Sequence, residues 1–165
     1  MALRDVGMSN GEKEILDQAV EAMRKALENR LVAVVLFGSR ARGDARPDSD
    51  WDLLVIAKGL IEDPLERGCF LRQLLPSRGR GAIALLARTP EEFEGHVASL
   101  YLDIALDGHI LHDPTGYAAE RLATLRRLIK EAGLYRERTR AGDVWRWKEP
   151  PRGDWVMSWE KIGSP

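Results

Sequence analysis

The chain has one cysteine in 165 residues, Cys69, which excludes an intramolecular disulfide. Its neighbours, Gly68-Cys69-Phe70-Leu71, make it read as a small buried hydrophobe rather than a nucleophile. Long apolar runs are missing as well. None approaches the ~20 residues that cross a bilayer, and no basic-then-apolar start resembles a secretion signal. A reducing cytoplasm is therefore the expected setting, with no membrane as partner. Net charge is almost absent, with 25 Lys and Arg against 26 Asp and Glu, so it gives no ground for expecting nucleic acid as a partner. Three common catalytic signatures do not occur. His96, His109 and His112 form no His-Glu-x-x-His or comparable metal spacing, and there is neither a Gly-x-Ser-x-Gly elbow nor a Gly-x4-Gly-Lys-Ser/Thr phosphate loop. No internal repeat or low-complexity tract appears, and the length suits one well-buried domain over 1–165.

What the chain does have is concentrated between residues 31 and 56. Residues 31–37 (LVAVVLF) are continuously apolar, which predicts a strand covered on both faces. Gly38 follows, a residue that lets the backbone turn sharply and lets a ligand approach closely, and Ser39 is a good N-cap for a short helix. Backbone N–H groups at such a turn suit an anion, the Ser39 hydroxyl adds a donor for a phosphate oxygen, and Arg40 and Arg42 add positive charge. Seven residues after Gly43 comes Asp50-Trp51-Asp52 at the head of a second apolar strand, Leu53-Leu54-Val55-Ile56. Strand alternation places Asp50 and Asp52 on one face with Trp51 opposite, so both carboxylates can converge on a hard divalent cation, Mg²⁺ (or Mn²⁺).

Gly38-Ser39-Arg40-Ala41-Arg42-Gly43 with Ser49-Asp50-Trp51-Asp52-Leu53 resembles the signature of the DNA polymerase beta nucleotidyltransferase superfamily, and most closely its small stand-alone minimal nucleotidyltransferases. The resemblance covers about residues 32–57. It implies that Gly38 and Ser39 hold the triphosphate, with Arg40 and Arg42 beside the phosphates or the loop. It also implies that Asp50 and Asp52 are the catalytic metal ligands, and that an NMP passes from an NTP, with ATP expected, to a hydroxyl on a small molecule, a protein or an RNA end. One departure matters. Active members usually carry a third acidic residue on a later strand, and the strand expected here, residues 81–87 (GAIALLA), has none. Either one metal suffices, or Glu91, Glu92 or Glu94 reaches in from the next helix, or the chain keeps the pocket and has lost efficient transfer. The last case gives the alternative function, a nucleotide-binding or antitoxin-type partner of a separate HEPN protein. A homo-oligomer is also open.

Around this segment, Ser9 and Glu12 form a capping box for a helix whose apolar stripe is Leu16, Ala19, Val20, Met23 and Leu27. Asp63-Pro64 opens a second helix that Pro76 stops. Thr89-Pro90-Glu91-Glu92 opens a third, expected to run with Phe93, Val97, Leu100, Tyr101 and Ile104 inward until Gly108. His109–His112 suggests an edge strand, and Asp113-Pro114 opens a last helix closed by Gly133. The order predicts a mixed α/β (α+β) fold, a small sheet packed against helices, with core 10–112 and a C-terminal helix and tail over 113–165. That tail, expected to be irregular, interleaves Arg136, Arg138, Arg140, Arg146 and Lys148 with Tyr135, Trp145, Trp147, Trp155 and Trp159. Such a pattern suits a nucleobase or single-stranded RNA. The adopted reading is that the aromatics anchor the tail to the domain or to a second subunit, offsetting the entropy of ordering it.

Overall fold

The computed structural model describes residues 8–139, 142–151 and 158–159. Helix α1 (Asn10–Leu27) begins at the predicted capping box: the Glu12 N–H donates to Ser9 Oγ at 3.3 Å and the Ser9 N–H donates to Glu12 Oε2 at 2.9 Å. Strand β1 (Leu31–Phe37) leads through a single turn, α2 (Gly38–Arg42), and a loop into β2 (Trp51–Ala57), which returns antiparallel. Helix α3 (Pro64–Leu74) starts at Asp63, whose side chain accepts from the Glu66 N–H. Strand β3 (Ile83–Arg88) then lies parallel to β2, and β4 (His109–His112) pairs antiparallel with the free side of β1. The sheet order is β3-β2-β1-β4.

Both faces of this mixed sheet are covered, as the unbroken apolar runs of β1 and β2 require. Val34, Leu36, Leu53 and Val55 meet Leu16, Met23 and Leu71 from α1 and α3. Ala33, Val35, Leu54 and Ile56 meet the opposite layer, made by α4 (Pro90–Gly95), α5 (Ser99–Asp107) and α6 (Tyr117–Glu131). The fold is the predicted mixed α/β class. Among the described residues, no helix is long and apolar enough to cross a membrane.

Four local expectations are corrected. The helix expected from Thr89 to Gly108 is two, α4 and α5, separated by an extended break at His96–Ala98. Gly95 carries about 1 kcal/mol of helix penalty relative to Ala, and the break lets Phe93, Val97 and Tyr101 all enter one core while Leu100 is left 38% exposed. Cys69 is exposed rather than buried, because α3 turns Arg67 and Leu71 inward and Cys69 falls midway between them on the other side of the helix. The last helix starts at Tyr117 instead of Asp113-Pro114, since Gly116 takes a left-handed φ of 77° and closes a turn first. Asp113 still serves the helix, accepting from the Ala119 N–H at 2.9 Å.

The fourth correction is the tail. Two strands pair antiparallel as a hairpin, β5 (Leu134–Thr139) against β6 (Gly142–Trp147), whose alternation was present in the sequence but masked by its charges. Its inner side presents Arg136, which binds Asp107 at 2.5 and 3.1 Å and Asp103 at 3.2 Å, while Trp145 Nε1 donates to the same Asp103 at 3.1 Å. Trp145, Trp147 and Trp159 pack on the α5–α6 core, and Trp159 lies 5.5 Å from the Phe93 ring, so these three act as anchors. Arg140 and Trp155 lie outside the described residues.

Removing Arg136 would leave Asp103, Asp107 and Asp143 facing one another partly buried. Arg136→Ala is expected to destabilise the protein by about 2 kcal/mol, less than the roughly 3–5 kcal/mol that breaking a fully buried ion pair costs because these side chains are only partly buried, read as a lower urea midpoint.

Candidate active site

Strand β1 ends at Phe37, directly opposite Asp52 in the antiparallel register. The next residue, Gly38, has φ +75°, which side chains rarely tolerate. A Cβ built there would lie 2.2 Å from Asp52 Oδ2. The Asp52 carboxylate therefore rests on the bare Cα of Gly38, and glycine is needed twice over: for the turn and for the acid beside it. Ser39 follows in the first turn of α2, whose N-cap position is Phe37, so no side chain caps this turn. Gly43, at φ +78°, closes it. The structure thus brings together the predicted turn, Gly38 and Ser39, and the predicted acid, Asp52, with Arg42 at the far end of the same turn.

Asp50 lies two residues before Asp52 and is exposed. Burial, followed by the charge of Asp50, pushes the Asp52 carboxyl above its usual value, while Arg42 pulls it down. Asp52 is held where its negative charge is costly, and a cation placed between the two acids would relieve that cost. Two carboxylates suit one Mg²⁺ that brings phosphate and water oxygens as its other ligands. Among the described residues there is no group of three or more His, Cys, Asp or Glu that could hold a metal.

The α4 glutamates do not complete the set. Strand β3 runs parallel to β2 with Ala84 in register with Asp52 and Arg88 with Ile56, so β3 ends about four residues, roughly 13 Å, up the sheet from Asp52, and α4 begins beyond that end at Pro90. Glu92 is spent on Arg67, at 2.7 and 2.8 Å, and on capping Thr89. Glu94 accepts from Tyr117 at 2.7 Å and Arg121 at 3.1 Å. The residue beside Asp52 on β3 is Ala84, in keeping with the absence of any acid from residues 81–87.

Arg40 has a different set of partners from the phosphate role read in the sequence. Its guanidinium donates to the Ser49 carbonyl at 2.9 and 3.1 Å and to the Pro47 carbonyl at 3.2 Å, pairs with Glu12 at 3.1 Å, and lies 4.5 Å over the Trp51 ring. It braces the loop that delivers Asp50. Sequence reading missed Glu12 and Trp51 as parts of this brace, since Glu12 is 28 residues from Arg40 and already explained as a capping residue. Arg42 pairs with Asp44 at 3.3 Å, and Asp44 in turn accepts from Arg138 of the hairpin at 2.5 Å.

Two outcomes follow from the packing of Asp52 on Gly38. Gly38→Ala forces a side chain into both a left-handed φ and the Asp52 carboxylate, and is expected to cost about 2 kcal/mol, measured by urea unfolding. For Asp52, a folded-state pKa raised above the usual 3.8 means that the native state binds the proton more tightly. Stability then falls as pH rises through that window. Asp52→Asn should therefore melt at a higher temperature than wild type near pH 7, with the difference vanishing near about pH 3, where both forms are neutral.

Three comparisons bear on this geometry. A family model described as a nucleotidyltransferase domain matches residues 16–115, more than half of the chain. A Methanocaldococcus jannaschii protein provisionally named a protein adenylyltransferase is 41% identical over 61 residues, covering 37% of this chain and 42% of its own length, so the chain spans less than half of that relative. Among solved structures, one described as a nucleotidyltransferase from Sulfolobus solfataricus is 21% identical over 66% of this chain and 92% of its own, with a TM-score of 0.45. A chain from the complex of a tri-AMPylated Shewanella oneidensis HEPN toxin with an MNT antitoxin is 17% identical over 72% of this chain and 91% of its own, with a TM-score of 0.46. With a match across strands β1 to β4, including the Gly38 turn and both aspartates, the chain belongs to the nucleotidyltransferase domain family.

Proposed function

We propose that the chain binds an NTP, ATP first, and passes its NMP group to an acceptor hydroxyl with release of pyrophosphate. The observation that carries this reading is the Asp52 carboxylate seated on Gly38, at the mouth of a serine-bearing turn, with Asp50 beside it. In this reading Ser39 Oγ and the backbone of the Gly38 turn bind the triphosphate, and Arg42 offsets its charge at the other end of α2. Asp50 and Asp52 would hold Mg²⁺ or Mn²⁺, which when bound neutralises phosphate charge and orients the group transferred. Arg40 keeps the Asp50 loop in place through its carbonyl contacts. The acceptor oxygen bonds to the α-phosphorus, the bond from that phosphorus to the pyrophosphate oxygen breaks, and the acceptor proton passes to solvent. Chemistry of this kind needs mainly positioning and charge neutralisation, which the turn and the acid pair supply.

A second reading is favoured by Ala84, the alanine in register with Asp52. Without a third carboxylate to help deprotonate the acceptor, the domain would bind nucleotide while transferring slowly, and act as the antitoxin-type partner of a separate HEPN protein. Calorimetric titration with ATP, with and without Mg²⁺, combined with a pyrophosphate-release assay, separates the two. The enzyme reading expects binding tightened by the metal, and Asp50→Asn should abolish both the tightening and turnover while leaving the melting temperature near wild type. Metal-independent binding of equal strength in wild type and Asp50→Asn supports the binding module. Full turnover in Asp50→Asn would overturn the metal assignment.

A further inference from the structure

Beside the end of α2 lies a cleft of 540 Å³, bounded by the start of β4 and by the facing sides of α5 and α6. We propose that this cleft seats the nucleobase of the NTP. The inference rests on the nucleotidyltransferase reading and adds to it a site for the base.

Position is the first argument. His109, the first residue of β4, is in register with Leu36, and Asp52 is in register with Phe37, so β4 and Asp52 flank β1 at the same end of the sheet. Their backbones are two strand spacings apart, roughly 10 Å, a span that a sugar and base together can cross. Arg42 stands at the boundary: it lines the cleft, and its charge is felt by Asp52. A nucleotide whose phosphates lie at the Gly38 turn can therefore place its base in the cleft without leaving the surface of α2.

Chemistry is the second. The floor of the cleft is apolar, made by Leu106, Ile110 and Leu122, and Leu106 is 45% exposed although large and hydrophobic. On the wall, Arg126 donates one N–H to the Ala105 carbonyl at 2.8 Å, and its other donors have no partner among the described residues. A guanidinium above an apolar floor is suited to a flat aromatic ring, which it can stack on or meet at its polar edge. The other polar groups of the lining are already engaged. Asp107 is held by Arg136, and His109 Nε2 is 3.0 Å from the Ala41 carbonyl. On the other side of Arg42, a second cleft of 460 Å³ is lined by Asp44, Asp103, Arg138, Thr139 and Asp143 without an apolar side chain, and offers no surface for a ring.

The test uses the full chain with Mg²⁺ present and two probes, ATP and inorganic tripolyphosphate, titrated calorimetrically into wild type, Leu106→Glu and Leu106→Gln. Leu106 is half-exposed, so both variants should fold, and the neutral one controls for added charge. If the base sits in the cleft, both variants weaken ATP by about tenfold or more, as loss of a central apolar contact does, while tripolyphosphate stays within about twofold. ATP and tripolyphosphate moving together, or neither moving, overturns the proposal. Unchanged ATP affinity with slowed transfer to an acceptor also overturns it, and assigns the cleft to the acceptor. If wild type binds neither probe, the nucleotidyltransferase reading itself fails, a result distinct from all the others.

Discussion

The antiparallel pairing of β1 with β2 is the contact on which the candidate site depends. It places Phe37 opposite Asp52, and so sets the carboxylate of one strand against the first residue beyond the other. Because Gly38 has no Cβ, the two meet at a separation that any other residue would forbid. A slip of one residue in this register would send Asp52 to the α1 face and Trp51 to the site, since strand side chains alternate. The register is secured by burial on both faces: Val34, Leu36, Leu53 and Val55 belong to one core, and Ala33, Val35, Leu54 and Ile56 to the other. The position of a polar acid is thereby enforced by apolar packing several residues away.

The charged groups around the site divide into those that brace the fold and those whose charge reaches Asp52. Arg40, stacked on Trp51 and bonded to two loop carbonyls, has little guanidinium left for a ligand. Arg42, only two residues on, points along the other side of α2 and remains in electrostatic reach of Asp52. On so short a turn, a spacing of two residues puts side chains on nearly opposite sides. The hairpin adds a second tier. Arg136 binds it to α5, and Arg138 reaches the same Asp44 that Arg42 contacts, so the C-terminal segment abuts the rim of the site while standing apart from the four-stranded sheet.

Several elements were legible because their signals are local. The capping box at Ser9 and Glu12, the Asp63-Pro64 helix start, and the apolar runs that became β1 and β2 each depend on residues within one turn or one strand, and the structure has them where they were expected. The misreadings had non-local causes. One amphipathic pattern covered Pro90–Asp107, yet the core is served better by two helices with a break after Gly95. Cys69 has apolar neighbours, but the orientation of α3 is set by Leu71 and by the buried Arg67, which reaches across to Glu92. The hairpin was obscured because Arg136, a residue that reads as solvated, turns inward to three aspartates, two of them on α5.

Sequence alone determined the chemistry on offer: a glycine–serine turn after a buried strand, two aspartates at alternate positions on the next, and arginines between them. Residue type and strand period suffice for that, because both act over a few bonds. Tertiary structure alone decided which of those groups face one another. It put Asp52 on Gly38, turned Arg40 away onto the loop, carried Glu91, Glu92 and Glu94 to the far end of the sheet, and set Ala84 of the acid-free third strand directly beside Asp52. Such choices follow from strand order and parallel or antiparallel sense, and these arise from burying both faces of the sheet at once, a condition no short segment carries.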